Sequence, residues 1–145
     1  MDVQAQIQNY IAGRAQPKRD DLQTLHRTAL GASPNGRLWF LDGRNDAGKI
    51  VSNPSIGYGV QVKQYANGDV KEFYQVGLSA NTSGISVYII GLNDKAYLSR
   101  TYGPTLGKAK ITGYCVTFRS LNDVNLDVVE KMVADHLGQA AAAQS

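Results

Sequence analysis

Residues 59–76 read Gly-Val-Gln-Val-Lys-Gln-Tyr-Ala-Asn-Gly-Asp-Val-Lys-Glu-Phe-Tyr-Gln-Val, two alternating segments around Asn67-Gly68. Asn-Gly between alternating segments predicts a β-hairpin, because a two-residue type I′ turn needs positive φ at both central residues. With such a turn Lys63 faces Glu72, Val62 faces Phe73 and Tyr65 faces Val70. An ion pair and two apolar pairs then support one register. Around this hairpin the chain predicts further strands. Arg37–Leu41 is a short apolar run expected to be buried on both faces, and Ile85–Leu92 is apolar on both faces and expected centrally in a sheet. Thr112–Arg119 alternates Tyr114, Val116 and Phe118 against Cys115, Thr117 and Arg119, the pattern of a half-buried strand. Residues 42–57 read as a long polar connection closing at Asn53-Pro54.

Helices are expected at both ends. Val3, Ile7, Tyr10 and Ile11 recur at helical spacing between a capping Asp2 and a terminating Gly13. Pro17 opens a second helix whose stripe of Leu22, Leu25, Ala29 and Leu30 stops at Gly31. Asn93 is expected to cap a short crossing helix, Asp94–Tyr102, that Gly103-Pro104 ends. Asn125 or Asp123 caps a last helix with Leu126, Val129, Met132, Val133 and Leu137 on one stripe, ending at Gly138. The expected fold is α+β, an antiparallel sheet flanked by helices, in one domain over 1–137 with a flexible tail at 138–145.

At 145 residues, 43% hydrophobic and 19% charged, the chain suits one soluble domain with its own core. No apolar run approaches the ~20 residues of a membrane-spanning helix, so no membrane partner is expected. The 15 basic and 12 acidic residues give +3, spread along the chain without a basic stripe, so no nucleic-acid partner is expected either. One cysteine and an N-terminus without a signal-like apolar region make the cytoplasm the expected location. Glycine is the outlier: its 15 residues exceed the ~7% average and read as punctuation for strands and turns.

Two Gly/Lys stretches invite comparison with phosphate loops and fail it. Gly43 to Lys49 is followed by Ile50 where Ser or Thr is required, and Gly103 to Lys108 is one residue short. His26 and His136 have no His or Cys at ligand spacing, and Cys115 has no catalytic signature around it. The aromatic residues carry more. Trp39 and seven tyrosines, among them Tyr58, Tyr88 and Tyr114, fall on the expected strands, crossing helix and loops. They either rim the sheet or wall a pocket to which Lys108, Lys110 and Arg100 add positive charge. The candidate ligand-binding residues are Trp39, Tyr58, Tyr88, Lys108 and Tyr114, with Lys108 as the point charge.

Four motifs in order, Asn53-Pro-Ser-Ile-Gly-Tyr-Gly59, Phe73-Tyr-Gln-Val-Gly-Leu-Ser-Ala80, Gly84-Ile-Ser-Val-Tyr-Ile-Ile-Gly91 and Leu106-Gly-Lys through Gly113-Tyr-Cys-Val-Thr-Phe118, carry a resemblance. Over residues 5–137 the chain resembles the YdhG-like proteins, also called domain of unknown function 1801. The resemblance implies an antiparallel α+β fold and no particular reaction. Some relatives are described as frataxin-like iron chaperones, a role that calls for clustered carboxylates. Here Asp2, Asp20 and Asp21 are the only acids in the first 41 residues. A non-enzymatic module binding a small acidic ligand or a protein partner, with no cofactor, is therefore the leading expectation. An iron-binding chaperone and an enzyme using Cys115 are the alternatives, and homodimerisation through the helical ends or an uncapped sheet edge stays open.

Overall fold

A computed structural model describes residues 2–34 and 36–144; Met1, Asn35 and Ser145 lie outside it. It holds helices α1 (Val3–Ala12), α2 (Lys18–Ala32), α3 (Tyr97–Leu106) and α4 (Leu126–Gln144). The strands are β1 (Leu38–Leu41), β2 (Ser55–Tyr58), β3 (Gln61–Gln64), β4 (Val70–Phe73), β5 (Val76–Asn81), β6 (Gly84–Ile89), β7 (Lys110–Ile111) and β8 (Cys115–Phe118). Six strands form an open antiparallel sheet in the order β1-β2-β5-β6-β8-β7, and β3 and β4 form a separate two-stranded arm. The fold is α+β, as the sequence predicts.

Cross-strand register sorts the sheet into two faces, because alternate residues point to opposite sides. Ile56, Leu78, Val87 and Val116 form one row across β2, β5, β6 and β8, and all four are fully buried. This row belongs to one core with Ile7 and Ile11 of α1, Leu22, Leu25 and Ala29 of α2, and Val129, Met132, Val133 and Leu137 of α4. The helical layer therefore covers this face. The next rows point away from that core: Gly57, Gly77, Tyr88 and Cys115, then Ser79, Ser86, Thr117 and Lys110.

Several expectations need correction. The hairpin forms one residue out of the expected register, with Gln61 opposite Phe73, Val62 opposite Glu72 and Gln64 opposite Val70. Gly68 has φ +91° but Asn67 is not at positive φ, so the turn cannot be type I′. Gly68 N–H donates to Tyr65 O and Tyr65 N–H to Asp69 O, which makes a three-residue loop with Gly68 in the left-handed position. Glu72 meets Arg37 at 3.3 Å. The segment after it divides, since Val76 opens β5 rather than prolonging β4. The connection expected over 42–57 gives way at Ser55 to β2, whose residues are all buried. β1 is an edge strand and only half-buried.

Local stop signals also yield to packing. α3 starts at Tyr97, preceded by Asp94, whose carboxylate accepts from Ala96 N–H, and it runs through Gly103-Pro104. Its stripe of Leu98, Tyr102 and Leu106 is buried, and this outweighs the one backbone hydrogen bond that proline removes. α2 passes Gly31 by one residue, and α4 passes Gly138 to Gln144, so the expected tail is helical through 144. Gly13 alone caps as expected, and Asp2 accepts from Ala5 N–H at the other end of α1.

Candidate functional site

The β5–β6 turn, Asn81–Gly84, is where the site is built. Asn81 Nδ2 donates to Ser86 Oγ at 2.9 Å, and Ser86 Oγ lies 3.0 Å from Thr117 Oγ1. Lys110 is the cross-strand partner of Thr117, so two hydroxyls and an ammonium group share one row. Lys108 is brought alongside by the segment before α4, where its N–H donates to Asp123 O at 2.9 Å and Asn125 N–H donates to Leu106 O at 2.7 Å. Arg119 follows β8 directly. These residues line an open cleft of about 680 Å³ with Asn53, Thr82 and Ser83.

Among the described residues, the basic side chains of Lys108, Lys110 and Arg119 make no hydrogen bond or ion pair. Asp123 is the one carboxylate lining the cleft. The local excess is positive, and the walls supply hydroxyl and amide groups. Such a cleft can hold an anion by charge-assisted hydrogen bonds.

The helical layer meets the same turn from the other side. Tyr10 Oη accepts from Ala80 N–H at 2.9 Å, and Lys18 Nζ donates to Asn81 O at 2.6 Å. Smaller hollows beside these contacts are lined by Arg14 and Lys18, and by Lys18 and Arg119.

The five expected site residues are dispersed. Lys108 lines the cleft. Tyr88 lies on the same face one row away, with its ring 6.4 Å from that of Tyr114 and nearly parallel to it; Tyr114 is 58% exposed. Burial raises the phenol pKa of Tyr88, with Cys115 adding to the effect. Trp39 is at the far edge, where its indole N–H donates to Gly59 O at 2.8 Å and Arg37 stacks on its ring at 3.9 Å. Tyr58 faces the helices, 2% exposed, and shares a 2.6 Å hydrogen bond with His26 Nδ1. Arg100 pairs with Asp94 at 2.6 Å, away from the cleft. The Ser86–Thr117 floor and Arg119 were missed; the signal for them is polar residues at alternate positions of otherwise apolar strands.

Cys115 is half-buried with its Sγ 3.5 Å from Thr117 Oγ1. Neither histidine adjoins it: His26 packs on Tyr58, and His136 packs between Tyr97 and Tyr102. Among the described residues no group of three His, Cys, Asp or Glu side chains is placed to hold a metal ion, and no helix is long and apolar enough to cross a membrane.

His26 carries a prediction. Burial lowers its pKa from 6.5, so the folded state favours the neutral ring. The unfolded chain binds the proton more readily, so this contribution to stability is complete above about pH 6.5 and is lost as pH falls towards the folded-state pKa. The unfolding free energy from urea titrations should fall from pH 7 to pH 5, by at most about 1.4 kcal/mol per pH unit from this group. In His26→Gln, which can still hydrogen-bond Tyr58, that dependence should flatten. Equal slopes in both proteins would remove His26 as the cause.

The structure defines a class: an α+β domain with an open antiparallel sheet, helices on one face and a polar, basic cleft at one end of the other. Compared with family models, with curated proteins and with solved structures, the chain matches none.

Proposed function

We propose that this chain is a YdhG-like, non-enzymatic binding module whose ligand is a small anion seated between Lys108, Lys110 and Arg119. The observation that carries this reading is three cations without partners around one hydroxyl-floored cleft. Uncompensated like charges repel one another and add nothing to the fold, so their convergence is better explained by a ligand than by stability. Ser86 and Thr117 would turn hydroxyls toward the anion, and Asp123 sets an acidic limit on one side.

Orthophosphate is the first probe. A ligand at one hundred times its Kd stabilises the folded state by about 2.7 kcal/mol, a readily measured rise in Tm. The expected result is stabilisation of the unmodified protein and a clearly smaller shift for Lys108→Gln/Lys110→Gln. Equal shifts in both proteins, or none in either, would sink the reading. The variant's own stability without phosphate should be unchanged within about 0.5 kcal/mol, because both lysines are exposed and unpaired.

A further inference from the structure

The positive charge does not end at the cleft. Three hollows surround the Asn81–Gly84 turn, and all three are lined by Thr82. Arg119 lines two of them, and Lys18 lines the two beside the helical layer. Arg14 is held nearby, with its Nε donating to Tyr10 O at 3.0 Å and its guanidinium stacked 4.7 Å from the Tyr10 ring centre. Five cations, Arg14, Lys18, Lys108, Lys110 and Arg119, therefore ring one four-residue turn, and among the described residues Asp123 is the only carboxylate lining these hollows. Asp20 and Asp21 lie in the first turn of α2 beside Lys18, and Asp21 is engaged by Leu121 N–H at 3.1 Å.

We propose that the ligand carries two phosphate groups joined by a hydroxylated spacer, one phosphate against Lys108 and Lys110 and the other against Lys18 and Arg14, with the turn between them. This rests on the anion-binding reading above and extends it to the ligand's class. Lys18 and Arg14 each spend one donor within the protein, Nζ on Asn81 O and Nε on Tyr10 O, and a single anion in the cleft would leave their remaining donors and their charge unanswered. The chemistry of the turn selects the spacer: the Thr82 and Ser83 hydroxyls are exposed and make no hydrogen bond with the described residues, and Asn81–Gly84 carries no apolar side chain of its own. A polyol can satisfy them, whereas a hydrocarbon linker would leave them desolvated. Arg119, shared by two hollows, bridges the two ends.

The test compares a hexose 1,6-bisphosphate with the matching hexose 6-phosphate and orthophosphate by calorimetry on the full chain. The second charged contact should tighten binding by about tenfold, the low end for hydrogen bonds to charged groups. In Arg14→Gln/Lys18→Gln, where glutamine can still donate to Asn81 O, the bisphosphate should lose that advantage. Equal affinity for the two sugars in the unmodified protein, or an advantage that survives in this variant, overturns the two-phosphate proposal while leaving the single-anion reading intact. Absence of binding by all three probes overturns both.

Discussion

Gly84→Ala is expected to lower stability by about 3 kcal/mol or more, as two separate costs fall on one methyl group. Gly84 has φ +135°, a region essentially reserved for glycine, which costs other residues about 1–3 kcal/mol. A Cβ there would also lie 2.2 Å from Phe118 O and 2.8 Å from Arg119 Cα. These are backbone atoms and cannot rotate aside, so β6 and β8 must part next to the Ile85–Phe118 pair. Overpacking of that kind typically adds another ~1–3 kcal/mol. Gly48→Ala is the control: φ is +81° there and a Cβ meets nothing within 4 Å, so only the conformational cost applies. Urea unfolding of both variants separates the two terms, and equal losses would mean that the backbone contact at Gly84 relaxes without cost. Because Gly84 closes the turn that carries Asn81 and Ser83, the variant should also bind orthophosphate more weakly.

Local chemistry made the bounds of α1 legible but not the start of α3, which begins at Tyr97 rather than after Asn93, and long-range packing is what the sequence withheld. Asp2 and Gly13 bound α1 as expected because a cap involves only neighbouring residues. Gly31, Gly103-Pro104 and Gly138 carry the same kind of signal, yet the helices run through them: in α3 the stripe of Leu98, Tyr102 and Leu106 is buried by partners elsewhere in the chain, and past Gly138 the run of four alanines has the highest helix propensity. The hairpin shows the same limit more finely. The expected register would oppose apolar residues, whereas in the observed one Phe73, Val62 and Val70 face Gln61, Glu72 and Gln64; the choice lies in whether Asn67 adopts positive φ, which it does not. β2 was hidden because Ser-Ile-Gly-Tyr is short and follows Asn-Pro. Missing it also concealed the orientation of Tyr58, which pairs with Val76 and turns to the helices with His26. The cleft needs still more of the fold. Ser86, Thr117 and Lys110 come from three strands and become neighbours only through register, so composition could supply Lys108 as a charge but not the floor beside it.

The same register explains why two glycines face each other across β2 and β5, and it supports the second large effect. Gly57 pairs with Gly77, and the Tyr74 ring lies over both. A Cβ at Gly77 would sit 2.5 Å from Tyr74 Cε1, and one at Gly57 would sit 2.4 Å from Tyr74 Cδ2. The ring is 5% exposed and stacks on Phe73 at 4.1 Å, so either methyl would have to expel a well-packed aromatic. Gly77→Ala should therefore cost about 2–3 kcal/mol by overpacking, and Tyr74→Ala about 3–5 kcal/mol by truncation. The double variant decides between steric conflict and simple loss. With the ring gone, alanine at 77 no longer meets it and gains about 0.5–1 kcal/mol over glycine within a strand. The double variant should then be no less stable than Tyr74→Ala alone, a coupling of about 2 kcal/mol or more between the sites. Distant, independent sites add to within about 0.5 kcal/mol, so additive losses in urea unfolding would show that Tyr74 does not depend on the bare backbone beneath it.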